Sequence, residues 1–493
     1  MKKIASGILP VIAVDRKSSK PLHQQIYDAY REAIASGTLR PGQRIPSTRL
    51  LAKELGVSRV PVLNAYAQLL AEGYLESVVG AGTIISRLLP EQFTSTAPAR
   101  GKIASSHAGP RPVARQIASL PATQYRPWWN RFGAFGVGQV AFDQFPIQVW
   151  SRLVARHSRD MQRRSFHYGD PMGSPALRES VAGYLRTSRS VHCEPEQVMI
   201  VAGSQQALEI SARVLFEPGS RVWTEEPGYR FGQGAFALAG CKLVPVPVDS
   251  EGLDVAAGIR KCRTARGAMV TPSHQFPLGM TMSASRRLQL LSWAHSNGAW
   301  ILEDDYDSEY RYESPPIPSL QGMDVNARVL YIGTFSKVLF PALRLGYIVI
   351  PTDLVRHFVT ARIAMDLGSP NLHQEVLADF MRSGDFERHI RRMRILYRER
   401  RSMLVDCIQK ELAGQMEIVG AQAGMHLAVT FPAGISDVEI AQRAALQNLW
   451  IWPLSSTYQG AAPQPGLILG FGSTRTADIP RAVRKLRELV VHK

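Results

Sequence analysis

The chain has 493 residues, 45% apolar and 20% charged, which is too long for one core and too apolar for a disordered chain, so two or three domains are expected. Its 58 Lys and Arg against 41 Asp and Glu give a formal charge of +17, and residues 1–100 hold 13 basic against 7 acidic side chains. That stretch is the better candidate for a polyanion partner. Cys193, Cys241, Cys262 and Cys407 form no CxxC pair, which argues against a disulfide framework or a zinc site and for a reducing compartment. Lys2-Lys3 and "IASGILPVIAV" imitate a secretion signal, but Pro10 interrupts the run and Asp15-Arg16-Lys17 follows. No apolar stretch approaches the ~20 residues of a membrane span. A cytoplasmic protein with no membrane partner and no metal is expected.

The first module occupies 15–87. "PLHQQIYDAYREAIASG" starts at Pro21, sets Leu22, Ile26, Tyr30 and Ile34 on one face and ends in Gly37, which predicts a helix. Ser47 can cap a second helix, "TRLLAKELG", with Leu50, Leu51 and Leu55 inward. Ser58 can cap a third, which tolerates Pro61 in its first turn and buries Val62, Tyr66, Leu69 and Leu70. "YLESVVGAGTIIS" then reads as a hairpin around Gly80-Ala81-Gly82. Two short helices joined by a tight turn make a helix-turn-helix or, on spacing alone, a protein-interaction bundle. The run "PGQRIPSTRLLAKELGVSR" followed by "LLAEGYLESVVGAGT" resembles the GntR-type winged helix. That resemblance implies binding of double-stranded operator DNA, with Arg49, Ser58, Arg59 and Gly82 at the interface. Val60-Pro61 stand where that family commonly has a polar residue and Thr, so base preference is expected to differ.

Residues 88–130 are rich in Pro, Ala, Ser and Gly without a sustained period, and read as a tether whose Arg100, Lys102, Arg111 and Arg115 are solvated or brush DNA. From 131 to 493 helical and strand-like segments alternate, from "QVMIVAG" through "RVLYIGT". Such alternation predicts a mostly parallel sheet covered by helices, with ligands beyond the carboxyl ends of its strands. Three clusters fall there. "VAGSQQAL" turns a strand into a helix at Ser204 and Gln205, where a phosphate fits; Ser204 as a plain cap is the alternative. "AWILEDDYDSEY" sets Asp304 and Tyr306 on one strand face and Glu303 and Asp305 on the other, which suits either a protonated pyridine or a salt-bridged loop. "GTFSKVLFPALRLG" surrounds Lys337 with Thr334, Ser336 and Arg344. A partly desolvated lysine there becomes a nucleophile toward aldehydes, and an aldehyde bearing a ring nitrogen and a phosphate is pyridoxal 5'-phosphate.

"HYGDPMGSPALRESVAGYL", "GSQQAL", "EEPGYR", "PSHQFPLGM", "EDDYDSEYRY" and "GTFSKVLFPALRLGY" occur in order and resemble fold-type I aminotransferases. With the GntR-like head, the whole chain resembles the MocR/GabR regulators. The resemblance implies that Lys337 bonds the cofactor aldehyde, Asp304 pairs with the ring nitrogen, Tyr306 bonds the ring hydroxyl and Tyr229 stacks on the ring. It further implies that Ser204, Gln205, Thr334, Ser336 and Arg344 hold the phosphate, that Tyr168 reaches the neighbouring subunit's phosphate, and hence a homodimer with a smaller C-terminal α/β subdomain. Two departures put turnover in doubt. Phe276 replaces the asparagine that touches the ring hydroxyl, with His274 or Gln275 as possible substitutes, and Ile468 replaces the arginine that grips a substrate carboxylate. "HIRRMRILYRERR", 389–401, reads as a basic helix with a solvated face, or as a DNA or interdomain contact. The leading expectation is a regulator that senses pyridoxal phosphate or its adduct with a small amine or amino acid. A working aminotransferase with a DNA-binding head is the alternative, and a relic domain kept for dimerisation the third.

Overall fold

A computed structural model describes residues 14–78, 82–89, 112–118, 120, 133–160, 167–312, 317–460 and 463–491. They fall into two compact units, Met1–Pro112 and Val113–Lys493.

In the first unit, α1 (Leu22–Ala35) buries Ile26, Tyr30 and Ile34 as its period predicts, together with Tyr27 and Ala33. The helix ends at Ala35 with Ser36 as its cap, and the chain turns at Gly37, whose φ of +76° suits a residue without Cβ. α2 (Thr48–Glu54) starts where the Ser47 side chain accepts the Leu50 amide, and α3 (Arg59–Ala71) carries Val62, Tyr66 and Leu69 into the core. The Tyr30 and Tyr66 hydroxyls meet at 2.9 Å, and Tyr66 also donates to the Pro46 carbonyl at 3.0 Å, so the two buried phenols satisfy each other. β1 (Leu75–Val78) pairs antiparallel with β2 (Gly82–Ile85), Val78 opposite Gly82; the predicted tip at Gly80-Ala81 lies outside the described residues. Two leucines differ from expectation. Leu50 is 45% exposed and Leu70 37% exposed, because the ~100° step between successive helical residues that buries Leu51 and Leu69 turns their neighbours outward. Of the expected tether, Arg100, Lys102 and Arg111 lie outside the described residues; Arg115–Ala118 forms one helical turn.

The second unit is built on an eight-stranded sheet. Its strands are β3 (Val198–Val201), β4 (Arg221–Glu226), β5 (Lys242–Asp249), β6 (Gly252–Leu253), β7 (Gly267–Val270), β8 (Trp300–Asp305), β9 (Val329–Thr334) and β10 (Gly346–Val349), in the order β3-β10-β9-β8-β7-β4-β5-β6. Strands β4, β5, β7, β8 and β9 run parallel, β10 runs antiparallel to both its neighbours, and β6 is antiparallel to β5. The mostly parallel sheet predicted from the alternation is therefore present. The alternation does not reveal β10, because no helix separates it from β9: a single 3-10 turn, Pro341–Leu343, reverses the chain. The helices that flank the sheet are capped at their ends. Ser174 accepts the Leu177 amide and Ser283 the Arg286 amide, and Gly298 closes its helix at φ +59°.

The smaller C-terminal part carries a four-stranded antiparallel sheet. Its strands β11 (Glu417–Val419), β12 (His426–Thr430), β13 (Trp452–Pro453) and β14 (Gly466–Gly470) take the order β11-β12-β14-β13. The basic helix Asp385–Glu411 is not simply solvated: Arg392, Arg394, Arg398, Arg400 and Arg401 donate to the carbonyls of Gln144, Glu309, Tyr312, Gly472 and Ala421. Its guanidinium groups supply donors to loops that have no ladder partner. No described helix is long and apolar enough to cross a membrane.

Candidate cofactor site and DNA-facing surface

Beyond the carboxyl ends of β3, β8 and β9 lies a cavity of about 770 Å³ that collects residues from all three sequence clusters. At one end, Gly203 (φ +99°) turns β3 into the helix Ser204–Leu215. Gly203 is the cap, so Ser204 is the first helical residue, and the Ser204 and Gln205 amides have no carbonyl within the helix to bond. A Cβ on Gly203 would stand 3.5 Å from Arg344 Nη1, which puts that guanidinium at the same end. Thr334 Oγ1 accepts the Ser336 amide at 3.2 Å and donates to Ser336 Oγ at 3.1 Å. Amides at a helix start, two hydroxyls and an arginine form a donor set suited to a phosphate.

In the middle of the cavity the alternation along β8 separates the acids as predicted. Glu303 turns away and accepts the Leu320 and Gln321 amides at 3.0 Å each. Asp305 pairs with Arg189 at 2.8 Å and accepts from Tyr331 at 2.6 Å. Asp304 faces the cavity, and its Oδ1 is buried with no partner among the described residues. Burial above all, then the charges of Asp305 and Glu225, push the Asp304 carboxyl up to about 7, with Lys337 opposing the rise. Glu225 is likewise pushed up to about 7 by burial, against hydrogen bonds from Thr271 and Gln275. Tyr229 lines the same cavity.

Of the two residues expected to make up for the missing asparagine, one is held by Tyr306. Its hydroxyl lies 3.0 Å from His274 Nδ1, which is also 3.0 Å from Asp307 Oδ1. Gln275 points elsewhere, donating to Glu225 and to the carbonyls of Pro227 and Phe276. As a carboxylate Asp307 only accepts, so Nδ1 carries a ring proton toward it, and the Tyr306 proton is left for a group in the cavity.

Lys337 extends into the cavity and donates from Nζ to the Gly138 carbonyl at 3.1 Å. Burial lowers its pKa, while Asp307 and Asp304 oppose the shift. Gly138 has φ +76°, and a Cβ there would come 2.4 Å from Nζ, so only glycine lets the lysine lie as it does. Sequence reasoning missed Gly138, although "GAFGVGQ" is a glycine-rich signal, and it missed the cavity residues Phe142, Phe231, His426 and Trp452, which come from distant segments. Of the ten residues expected at the cofactor, nine line the cavity. Tyr168 does not: it is 87% exposed, and the role expected for it is toward a neighbouring chain.

In the first unit Arg49, Ser58, Arg59 and Gly82 are all exposed. Ser58 takes the cap position of α3 without a side-chain bond, and Arg59 Nε reaches back to Thr48 Oγ1 at 3.2 Å. Gly82 (φ +87°) lies under the Arg44 guanidinium, a further cation that sequence reasoning passed over.

Residues 22–85 match the family profile "Bacterial regulatory proteins, gntR family", and residues 134–462 match "Aminotransferase class I and II". The probable rhizopine catabolism regulatory protein MocR of Rhizobium meliloti is 40% identical over 97% of this chain and 95% of its own. The chain belongs to the MocR-type regulators. The pyridoxine biosynthesis transcriptional regulator PdxR of Corynebacterium glutamicum is 30% identical over 94% of both chains. Among solved structures, LysN of Thermus thermophilus, an alpha-aminoadipate aminotransferase complexed with N-(5'-phosphopyridoxyl)-L-leucine, is 27% identical with a TM-score of 0.71, over 77% of this chain and 97% of its own. This MocR-type chain thus joins a GntR helix-turn-helix to a fold-type I aminotransferase domain, and its cofactor is pyridoxal phosphate. The cavity fits that group: an unpartnered Asp304 oxygen for a protonated ring nitrogen, a donor set for the phosphate, and a desolvated lysine for the aldehyde.

Proposed function

We propose that this regulator binds operator DNA through its winged helix and reports, through the aminotransferase-like domain, on pyridoxal phosphate and on small amines or amino acids that combine with it. The observation that carries the reading is the orphaned Asp304 Oδ1 facing the same cavity as Lys337. Pyridoxal phosphate supplies a carbonyl that condenses reversibly with primary amines. Lys337, its proton affinity lowered by burial, holds the cofactor covalently. Asp304 pairs with the ring nitrogen, Tyr306 donates to the ring hydroxyl with His274 and Asp307 fixing its proton, and Tyr229 stacks on the ring. Ser204, Gln205, Thr334, Ser336 and Arg344 bind the phosphate. Arg49, Ser58, Arg59 and Gly82 face the DNA.

The reading includes a homodimer, in which the exposed Tyr168 reaches the partner's phosphate site, a cytoplasmic location suited to four free cysteines, and a division at 15–87, 88–130 and 131–493. Sensing is favoured over turnover by Phe276 and Ile468, apolar where an aminotransferase places the groups that touch the ring hydroxyl and grip the substrate carboxylate. To act as a switch the effector must favour one of two arrangements of the protein by a few kcal/mol. The test is a titration of the full-length protein on its own promoter DNA, with and without pyridoxal phosphate and amines. A change in affinity of tenfold or more supports sensing, an unchanged affinity refutes it, and keto-acid formation over many turnovers supports an enzyme instead.

A further inference from the structure

The two positions that depart from the aminotransferase pattern meet in one place. Ile468, on β14, is fully buried, paired across the sheet with Ala428 on one side and Trp452 on the other. It belongs to the same apolar cluster as Phe276, with Leu278 and Leu454, and Trp452 and Val137 pack against it. Phe276 faces the cavity, with its ring 5.7 Å from Tyr229, 6.2 Å from Trp452 and 5.4 Å from His426, each edge to face. Phe231 continues this wall, edge to face with Trp452 at 6.3 Å, and Phe142 also lines the cavity. Space that could have held a cationic side chain is filled with side chains that carry no charge.

The charges that remain are committed or acidic. Among the described lining residues the cations are Lys337, held at the Gly138 carbonyl, and Arg344, held beside Gly203 at the phosphate end. His426 is neutral, its imidazole pushed down to about 3 by burial first and then by His274, and its Nε2 lies 3.1 Å from the Pro277 carbonyl. Asp304 and Asp307 line the same space. A carboxylate brought against Phe276 and Trp452 would lose its water without gaining a cation, and would stand near two acids. A cationic or neutral amine with an apolar body meets neither penalty.

We propose that the effector read by this pocket, beyond the cofactor, is a primary amine with an apolar body and no carboxylate. The proposal rests on the functional reading above and narrows its effector to one chemical class.

The experiment uses the full-length protein loaded with pyridoxal phosphate and isothermal titration calorimetry with two pairs of compounds. In each pair the acid carries a carboxylate where the amine has a hydrogen or a methyl group: 2-phenylethylamine against phenylalanine, and butylamine against 4-aminobutanoate. The amine of each pair should bind at least tenfold more tightly than the acid, and Ile468→Arg, checked for folding by thermal unfolding, should bring the acids at least tenfold closer to the amines. Equal or tighter binding of the acid in either pair overturns the proposal, as does the absence of binding by all four compounds to loaded protein. A folded Ile468→Arg variant with an unchanged ratio overturns the role given to Ile468. If that variant does not fold, the comparison in the unsubstituted protein decides alone. Failure of the protein to load with pyridoxal phosphate, read from its visible absorbance, refutes the functional reading itself and is thereby distinct.

Discussion

The winged helix and the aminotransferase-like unit recognise their targets by opposite physics. The residues placed at DNA in the first, Arg49, Ser58, Arg59 and Gly82, are exposed; those placed at the cofactor in the second surround a cavity in which Asp304 is 3% exposed. An exposed cation works in high dielectric, is screened by salt and shares its task with neighbours. A buried acid or amine has no water to replace a lost partner, so each group is worth more and is less replaceable. The lesson is a hierarchy: single substitutions should be severe and salt-independent in the cavity, moderate and salt-dependent on the head.

The largest effect is expected at Lys337. Lys337→Ala removes the amine that the cavity presents to an aldehyde, and the purified protein should lose the visible absorbance of bound pyridoxal phosphate entirely. A variant that keeps this band would break the comparison at its strongest point. Next comes Asp304→Ala, which leaves a cationic ring nitrogen facing an apolar hole. Breaking a buried pair costs about 3–5 kcal/mol, so cofactor affinity, measured by equilibrium dialysis, should fall by roughly 10²- to 10⁴-fold. A loss below about tenfold would mean that the ring nitrogen is not paired there. On the head, Arg59→Ala should weaken binding to promoter DNA by about 1–3 kcal/mol. If Arg59 contacts phosphate, the slope of log affinity against log salt should also shrink by about one. An effect equal to that of the cavity variants would erase the difference drawn between the two regions.

How far the sequence reaches also differs between the regions, and for a physical reason. The helices of the head follow from periodicity and punctuation: Pro21, Ser47, Ser58 and Gly37 stand at element ends in the structure. What failed there was the azimuth of single residues, Leu50 and Leu70, which a count of apolar positions does not fix. In the cofactor unit the period of two along β8 was enough to send Asp304 inward to the cavity and Asp305 to Arg189. Residues that arrive from other elements were not legible. Gly138 under Lys337, His426, and the Asp307–His274–Tyr306 chain depend on how loops 32 and more residues apart in sequence meet, and no local pattern encodes that. Ile468 and Phe276 were each visible as departures, but their place in one apolar cluster was not.

The smallest effect tests the low-dielectric side of the comparison through pH. In the cofactor-free protein the Asp304 carboxyl is raised from its ordinary 3.8 to about 7, mainly by burial. Below about pH 4 both the folded and the unfolded chain hold this proton, and the contribution to stability is complete. Between about pH 4 and 7 the unfolded chain releases the proton while the folded chain retains it, so the contribution declines as pH rises through that window and changes no further above it. The slope is at most about 1.4 kcal/mol per pH unit for one group, a few degrees in melting temperature across the window for a unit of this size. Asp304→Asn lacks a titrating group at that position, so the melting temperature of the unsubstituted protein minus that of the variant should fall steadily from pH 4.5 to 7. Loading with pyridoxal phosphate should flatten the trend, since a cationic ring nitrogen beside residue 304 favours the ionised carboxylate. A difference that stays level in the cofactor-free protein would show that water reaches Asp304, and the cavity would then differ from the head in degree rather than in kind.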